Sequence, residues 1–341
     1  MSSRPCAYAK SSLIARRRVA PELRVRPERL PPASLSARAV RVRAPLRLWL
    51  RFIGVEFWLV ALVPFQIGFI VGAQEWGSHA GLLGLATVAL LTASSFVLNH
   101  LCDLEIDRRN PRKAFSLLVR GDLTPAAGWA LFGALQVATL ALAALAGRDF
   151  LLCLLGLTAI SLAYNIAPLR LKERPGLDIA ANGASLGFLL PLAGWSLSQP
   201  LGEFPRLYFA SVVCYLVAFY CPTMAVDVVA DRAVGTTTFA TRFGAVATMR
   251  LSWAATTAGA GLLLWSGATD AFPWDRNLLW WTGWILLLQP LAHWRELPPN
   301  AAPNYETVRR GSIILATIAA LATASFLWLY MSGSPVPPFR R

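Results

Sequence analysis

The sequence predicts an all-α polytopic membrane protein with nine transmembrane helices, and three observations lead there. Of 341 residues, 56% are hydrophobic and only 15% charged, against roughly 25% charged in soluble domains. The mean hydropathy is +0.51. Nine runs are apolar enough to cross a bilayer, which takes about 20 residues. The cations between those runs fall mainly in alternate loops, as the positive-inside rule requires.

In chain order, residues 1–44 read as a basic, disordered tail. Residues 1–51 hold Lys10 and twelve Arg against Glu22 and Glu28, a net of +11 out of +14 for the chain. Such a tail beside a membrane segment marks the cytoplasmic side, and nucleic acid is not needed to explain it. It lacks the apolar core of a secretory signal, but its Arg- and Ser-rich, acid-poor character also fits a targeting segment. The expected location is a bacterial inner (plasma) membrane, or an organellar membrane if the tail is a targeting signal. The nine spans are 52–73, 80–101, 125–146, 150–167, 179–197, 207–226, 251–268, 277–293 and 311–331. They form one domain over 45–331, with a short tail at 332–341.

With the N-terminus inside, four loops should be basic. They carry Arg108, Arg109, Arg112, Lys113 and Arg120, then Arg170, Lys172 and Arg174, then Arg232 and Arg242, then Arg295, Arg309 and Arg310. The opposite loops hold Arg148, Arg206 and Arg276, with Arg340 and Arg341 at the C-terminus. Trp58, Trp76, Trp129, Trp195, Trp265, Trp274, Trp280 and Trp281 cluster near span ends, where aromatic belts form. The five Cys are scattered with no CxxC pair, and the three His are dispersed. Zinc and His-ligated metals are therefore disfavoured.

Two acidic motifs interrupt this apolar chain. Asn99, Asp103 and Asp107 follow the second span at steps of four. On a helix each step leaves about 40° of drift, so they share a face, and Glu105 points elsewhere. Asp227 and Asp231 repeat the spacing after the sixth span. Oxygen donors at a membrane boundary suit a hard cation such as Mg2+, which binds through one or two carboxylates plus substrate phosphates. An acidic helix end solvated beside Arg108, Arg109, Arg112 and Lys113 is the alternative. A third polar segment on that side runs from Tyr164 and Asn165 through Pro168, Arg170 and Lys172. Two carboxylate patches would repel unless cations bridged them, and two Mg2+ with a diphosphate between would satisfy both.

These three segments, in this order, resemble the UbiA-type intramembrane prenyltransferases, and the resemblance covers about residues 45 to 331. It implies nine helices around a central cavity open to the cytoplasmic side and to lipid. It implies that Asn99, Asp103, Asp107, Asp227 and Asp231 hold Mg2+ and, through it, the diphosphate of an isoprenyl donor. Arg170 and Lys172 would contact that diphosphate, and Tyr164 matches a pocket tyrosine; Tyr220 is a second aromatic candidate. The implied reaction is transfer of an isoprenyl group from an allylic prenyl diphosphate to a lipophilic acceptor, namely a carotenoid end, an aromatic ring or a tetrapyrrole. Three departures are visible: Met224 replaces an acidic residue, Asn165 replaces a serine, and 116–121 replaces an Arg-Pro-Leu segment. The segments Asp107–Lys113, Arg174–Asp178 and Ala181–Gly183 look like the lycopene-elongase branch. A terpene cyclase or diphosphate hydrolase of the same fold is the alternative. A cation-coupled transporter would instead place charges near mid-membrane on several helices. Oligomeric state and donor length are not encoded legibly.

Overall fold

The computed structural model of the protein describes residues 44–73, 78–110, 113–268, 297–311 and 314. The basic tail and most of the two last expected spans lie outside the described residues. Among these residues the secondary structure is entirely helical.

The chain enters through α1 (Leu46–Phe52), breaks at Gly54, and resumes as α2 (Trp58–Ala73). The break corrects the first expected span. Gly54 sits at φ 70, and a Cβ there would come within 2.4 Å of the Phe96 ring. Next is α3 (His79–Cys102), whose N-cap Ser78 accepts from the Gly81 N–H. Its 24 residues give about 36 Å, enough to cross a hydrocarbon core. A turn at Asp103 separates α3 from α4 (Leu104–Asp107), and α5 (Leu117–Arg120) follows. Thr124 caps α6 (Pro125–Ala146), with Pro at the first helical position, where its missing N–H costs nothing. Gly147 then separates α6 from α7 (Arg148–Asn165).

The fifth expected span is not one regular helix. It consists of α8 (Leu177–Asn182), a π-helical stretch (Gly183–Leu189) and α9 (Leu190–Trp195). The sixth is longer than expected: α10 (Arg206–Val234) continues past the apolar run and carries Asp227 and Asp231 before Gly235 ends it at φ 78. A Thr238–Thr241 capping box starts α11 (Phe239–Phe243), and α12 (Ala245–Ala268) completes the described bundle. Five segments are long and apolar enough to cross a membrane: Val55–Ala73, His79–Cys102, Pro125–Ala146, Leu177–Trp195 and Arg206–Ala233. The fourth and seventh expected spans are present as α7 and α12 but are not among those five.

Packing pairs α2 with α9, α3 with α6, and α10 with α12. Two helices bearing only apolar surface gain little from each other in lipid, so close backbone approach through small residues has to hold them. The α2–α9 seam does this with Gly68 and Gly194. A Cβ on Gly68 would lie 1.9 Å from the Pro191 carbonyl oxygen, and one on Gly194 would lie 2.1 Å from the Phe65 carbonyl oxygen. Phe65, Phe150, Leu154, Val88 and Ala193 fill the core beside this seam. Trp195 is buried there, its Nε1 donating to the Pro200 carbonyl at 2.9 Å, so it serves packing. Trp129 and Trp265 are exposed, as an aromatic belt requires.

Candidate active site

The C-terminal end of α3 meets the loop after α7, and Asp103 is where they join. Its Oδ1 accepts from Arg170 Nη2 at 2.9 Å. Its Oδ2 accepts from Lys172 Nζ at 2.6 Å and from Asn99 Nδ2 at 3.1 Å. One half-buried carboxylate is thus held by two cations and an amide from segments more than sixty residues apart. Arg170 also reaches Glu173 through Nε at 2.8 Å, so its planar fork bridges two carboxylates. Burial alone would lower the Arg170 pKa, but Glu173 and Asp103 outweigh it and hold the guanidinium above its ordinary value. Burial dominates at Lys172, whose ammonium is pushed below the ordinary lysine value despite Asp103.

The loop's geometry places these cations. Asn165 ends α7, the Ala167–Pro168 peptide is cis, and Arg170 takes a left-handed conformation at φ 37, ψ 57. A non-glycine residue there carries a cost of about 1–2 kcal/mol that its surroundings must impose. The ion pairs with Asp103 and Glu173 are the visible constraint.

The sequence placed Asn165 in the third polar segment and as a departure from serine but gave it no role, yet it is central. It is buried, and its Oδ1 accepts from both Asn99 Nδ2 at 3.1 Å and Lys172 Nζ at 3.0 Å. Its Nδ2 donates to the Ser161 carbonyl at 3.0 Å. A serine offers one oxygen and one proton on a shorter arm, so the amide is better suited to bridge.

Asp107 lies elsewhere. It is buried, and its Oδ2 faces His100 Nδ1 at 3.3 Å, with Lys113 Nζ at 4.0 Å. Phe52 stacks on His100 at 4.8 Å between centroids, and Phe115 meets that ring edge-on. Two steps of four accumulate about 80° of drift from Asn99, whereas seven residues return within about 20°, which brings His100 under Asp107. The shared face expected for Asn99, Asp103 and Asp107 therefore holds for the first two side chains, which bond directly, while the Asp107 carboxylate turns to His100. Glu105 is exposed and pairs with Arg108 at 2.6 Å.

Asp227 and Asp231 sit half-buried on the last two turns of α10. That end of the bundle is the same one: Asp178, at the start of α8, accepts through Oδ2 from the Phe239 N–H at the start of α11, at 2.8 Å. Farther in, Tyr164 and Tyr220 share a hydroxyl hydrogen bond of 3.0 Å, and Asn182 Nδ2 donates to Tyr164 Oη at 3.2 Å. The structure thus brings together Asn99, Asp103, Arg170 and Lys172, and separately Tyr164 and Tyr220. Among the described residues, no three His, Cys, Asp or Glu side chains converge as a metal cluster. The donor chemistry of Asn99 and the Asp side chains is nonetheless hard oxygen throughout, which suits Mg2+. Both Asp103 oxygens already carry cationic partners, so a metal binding there competes with the charges of Arg170 and Lys172.

Comparison with known proteins gives the family. Residues 61–304 match the UbiA prenyltransferase family. The chain belongs to that family. A UbiA homologue from Archaeoglobus fulgidus, solved bound to GPP and Mg2+, superposes with a TM-score of 0.67 at 22% identity, covering 81% of this chain and 98% of that one. The apo UbiA homologue from Aeropyrum pernix K1 gives 0.62 at 23% identity, over 80% and 98%. These likenesses establish the UbiA fold. Among sequence relatives, the protoheme IX farnesyltransferase of Geobacter sulfurreducens is 39% identical over 123 residues, 36% of this chain and 44% of that protein. The lycopene elongase/hydratase of Haloarcula japonica is 27% identical over 208 residues, 57% and 66% respectively. The match therefore spans less than half of the farnesyltransferase and 66% of the elongase.

Proposed function

We propose that this UbiA-family protein catalyses Mg2+-dependent transfer of an isoprenyl group from an allylic prenyl diphosphate to a lipophilic acceptor in the membrane. The observation that carries this is the Asp103 centre: a carboxylate at the end of a membrane helix, held by two cations on the polar loop after α7. Asn99, Asp103, Asp227 and Asp231 are the proposed metal-holding oxygens, and Asp107 joins them by leaving His100. Mg2+ supplies Lewis-acid neutralisation of charge on the leaving diphosphate. Arg170 and Lys172 pass from Asp103 to the diphosphate oxygens as the donor binds, and they stabilise the anion as the allylic C–O bond breaks. The rings of Tyr164 and Tyr220 face the allylic cation, whose charge an aromatic face favours. The acceptor then contributes the electron pair for the new bond and gives up a proton.

The charges cluster at helix ends on one side, which favours this chemistry over cation transport through mid-membrane sites. The acceptor class is a carotenoid end, an aromatic ring or a tetrapyrrole. The relatives' names, a lycopene elongase/hydratase and a protoheme farnesyltransferase, support the first and third. The decisive experiment incubates membranes with labelled geranyl, farnesyl or geranylgeranyl diphosphate and acceptors of the three classes, with and without Mg2+. Label is expected in one acceptor class only when Mg2+ is present. Diphosphate release with no acceptor labelled would instead favour a cyclase or hydrolase.

Arg170 gives a sharper test of the loop. Arg170→Gly removes both the charge and the left-handed strain, so stability in detergent should stay within about 1 kcal/mol of wild type. Transfer should nevertheless fall by about 10². Arg170→Lys keeps a point charge without the fork and should fall between the two. Wild-type rates in the Gly variant would remove the guanidinium from the mechanism.

A further inference from the structure

We infer that Asp178 is a latch that ties the cation-bearing loop to the segment following the second acidic motif, and that this tie keeps water from the allylic cation. The inference rests on the prenyl-transfer reading above. The Asp178 side chain is fully buried, and three backbone N–H groups satisfy it. Oδ1 accepts from Gly176 and Ile179 at 2.8 and 2.9 Å, within the start of α8. Oδ2 accepts from Phe239 at 2.8 Å, across 61 residues. One carboxylate thus meets the N-terminal ends of two helices, α8 and α11, where backbone N–H groups favour an anion.

The two oxygens divide the work. Oδ1 serves the local turn that ends the 166–176 loop carrying Arg170 and Lys172. Oδ2 reaches Phe239, where α11 begins directly after the 235–238 segment that follows Asp227 and Asp231. Phe239 is otherwise placed by the Thr238–Thr241 capping box, which leaves its own N–H directed at Asp178. Asn182 extends the connection inward: its Nδ2 donates to the Asp178 carbonyl at 2.8 Å and to Tyr164 Oη. Asp178 and the Tyr164–Tyr220 pair are therefore linked through Asn182.

Heterolysis sends the C–O electron pair to the diphosphate and leaves an allylic cation. In transfer, the acceptor supplies the electron pair for the new bond and then releases a proton. In leakage, a water oxygen supplies that pair and releases a proton, giving free prenol. Holding the 166–176 loop to the start of α11 favours the first outcome.

Two substitutions cut the same bond from opposite sides. Asp178→Asn can keep its amide oxygen on Gly176 and Ile179 while its NH2 confronts the Phe239 N–H, donor against donor. Phe239→Pro deletes only that N–H from the backbone. It is compatible with the first turn of a helix and with the extended Thr238 before it, at φ −102, ψ 172. Phe239→Ala removes the ring but keeps the N–H, and is the control. With labelled geranylgeranyl diphosphate and Mg2+ in membranes containing the native acceptor, the ratio of labelled prenol to labelled lipid product should rise on the order of tenfold in Asp178→Asn and Phe239→Pro, and not in Phe239→Ala. The double variant should match the singles. Hydrogen exchange over 235–243 should be faster in Asp178→Asn. Folded variants with the wild-type ratio, or with no diphosphate release at all, would overturn the latch. If Asp178→Asn does not fold, Phe239→Pro against Phe239→Ala decides. A wild-type protein that releases no diphosphate from any donor would instead refute the underlying prenyl-transfer reading.

Discussion

Replacing Asp103 by Asn should lower Mg2+-dependent prenyl transfer by at least about 10³ while leaving the protein inserted and folded. The substitution is nearly isosteric, but it removes one unit of negative charge and turns one oxygen into a donor. If the NH2 replaces Oδ1, it faces Arg170 Nη2. If it replaces Oδ2, it faces Lys172 Nζ and Asn99 Nδ2. Either way two donors meet head-on. Arg170 still has Glu173, whereas Lys172 loses its anionic partner and keeps only neutral oxygens among its described contacts. The loop then loses the group that aligns it, and the proposed metal site loses a charged oxygen. Initial rates across a Mg2+ titration check this, with protein level and detergent size-exclusion profile measured in parallel. The deficit should persist at saturating Mg2+. Wild-type rates in a well-folded Asp103→Asn protein would refute the assignment.

The second large effect concerns folding. Alanine at Gly194, or at Gly68, should destabilise the protein by about 3 kcal/mol, near the upper end for overpacked cores. The added methyl at Gly194 would meet the Phe65 carbonyl oxygen at 2.1 Å and the Phe69 nitrogen at 2.5 Å. These are backbone atoms of a paired helix, with no rotamer to relieve the contact, so α2 and α9 must separate along their length. Gly133→Ala is the internal standard: it lies on α6 with nothing within 4 Å of the added carbon, and it should be neutral or slightly stabilising by helix propensity. Thermal unfolding in detergent should separate the two positions clearly. Equal stability of Gly194→Ala and Gly133→Ala would contradict the close seam.

Hydropathy and local capping chemistry made much of the bundle legible. The expected 125–146 span matches α6 because Thr124 and Pro125 mark its start chemically and Gly147 marks its end. The 80–101 span misses α3 by one residue at each end. Hydropathy stops where charge begins, however, whereas a helix need not. That is why α10 extends eight residues beyond the expected end and carries both Asp as helical residues. Hydropathy is also blind to hydrogen-bond register, so the π-helical stretch inside the fifth span could not be read from composition. At the site, alternation of charge put the Arg170–Lys172 segment on the side of Asp103, but as a contact for diphosphate, and the direct ion pairs with Asp103 were not legible. The His100–Asp107 pair was missed because attention fell on steps of four, while a step of seven returns closer to the same direction. Asp178 carried a weak signal, an acidic residue just after Gly176 at the head of an apolar run. Nothing local announced that its second oxygen would reach Phe239.

The double clasp on Asp103 has a further consequence for selectivity. Under the proposed reading, a lone divalent ion at Asp103 meets an ammonium and a guanidinium and offers them no replacement counter-charge. The same ion escorted by a prenyl diphosphate brings an anion that can receive both. The resting protein would then discriminate between free metal and substrate-bound metal through a simple exchange of partners.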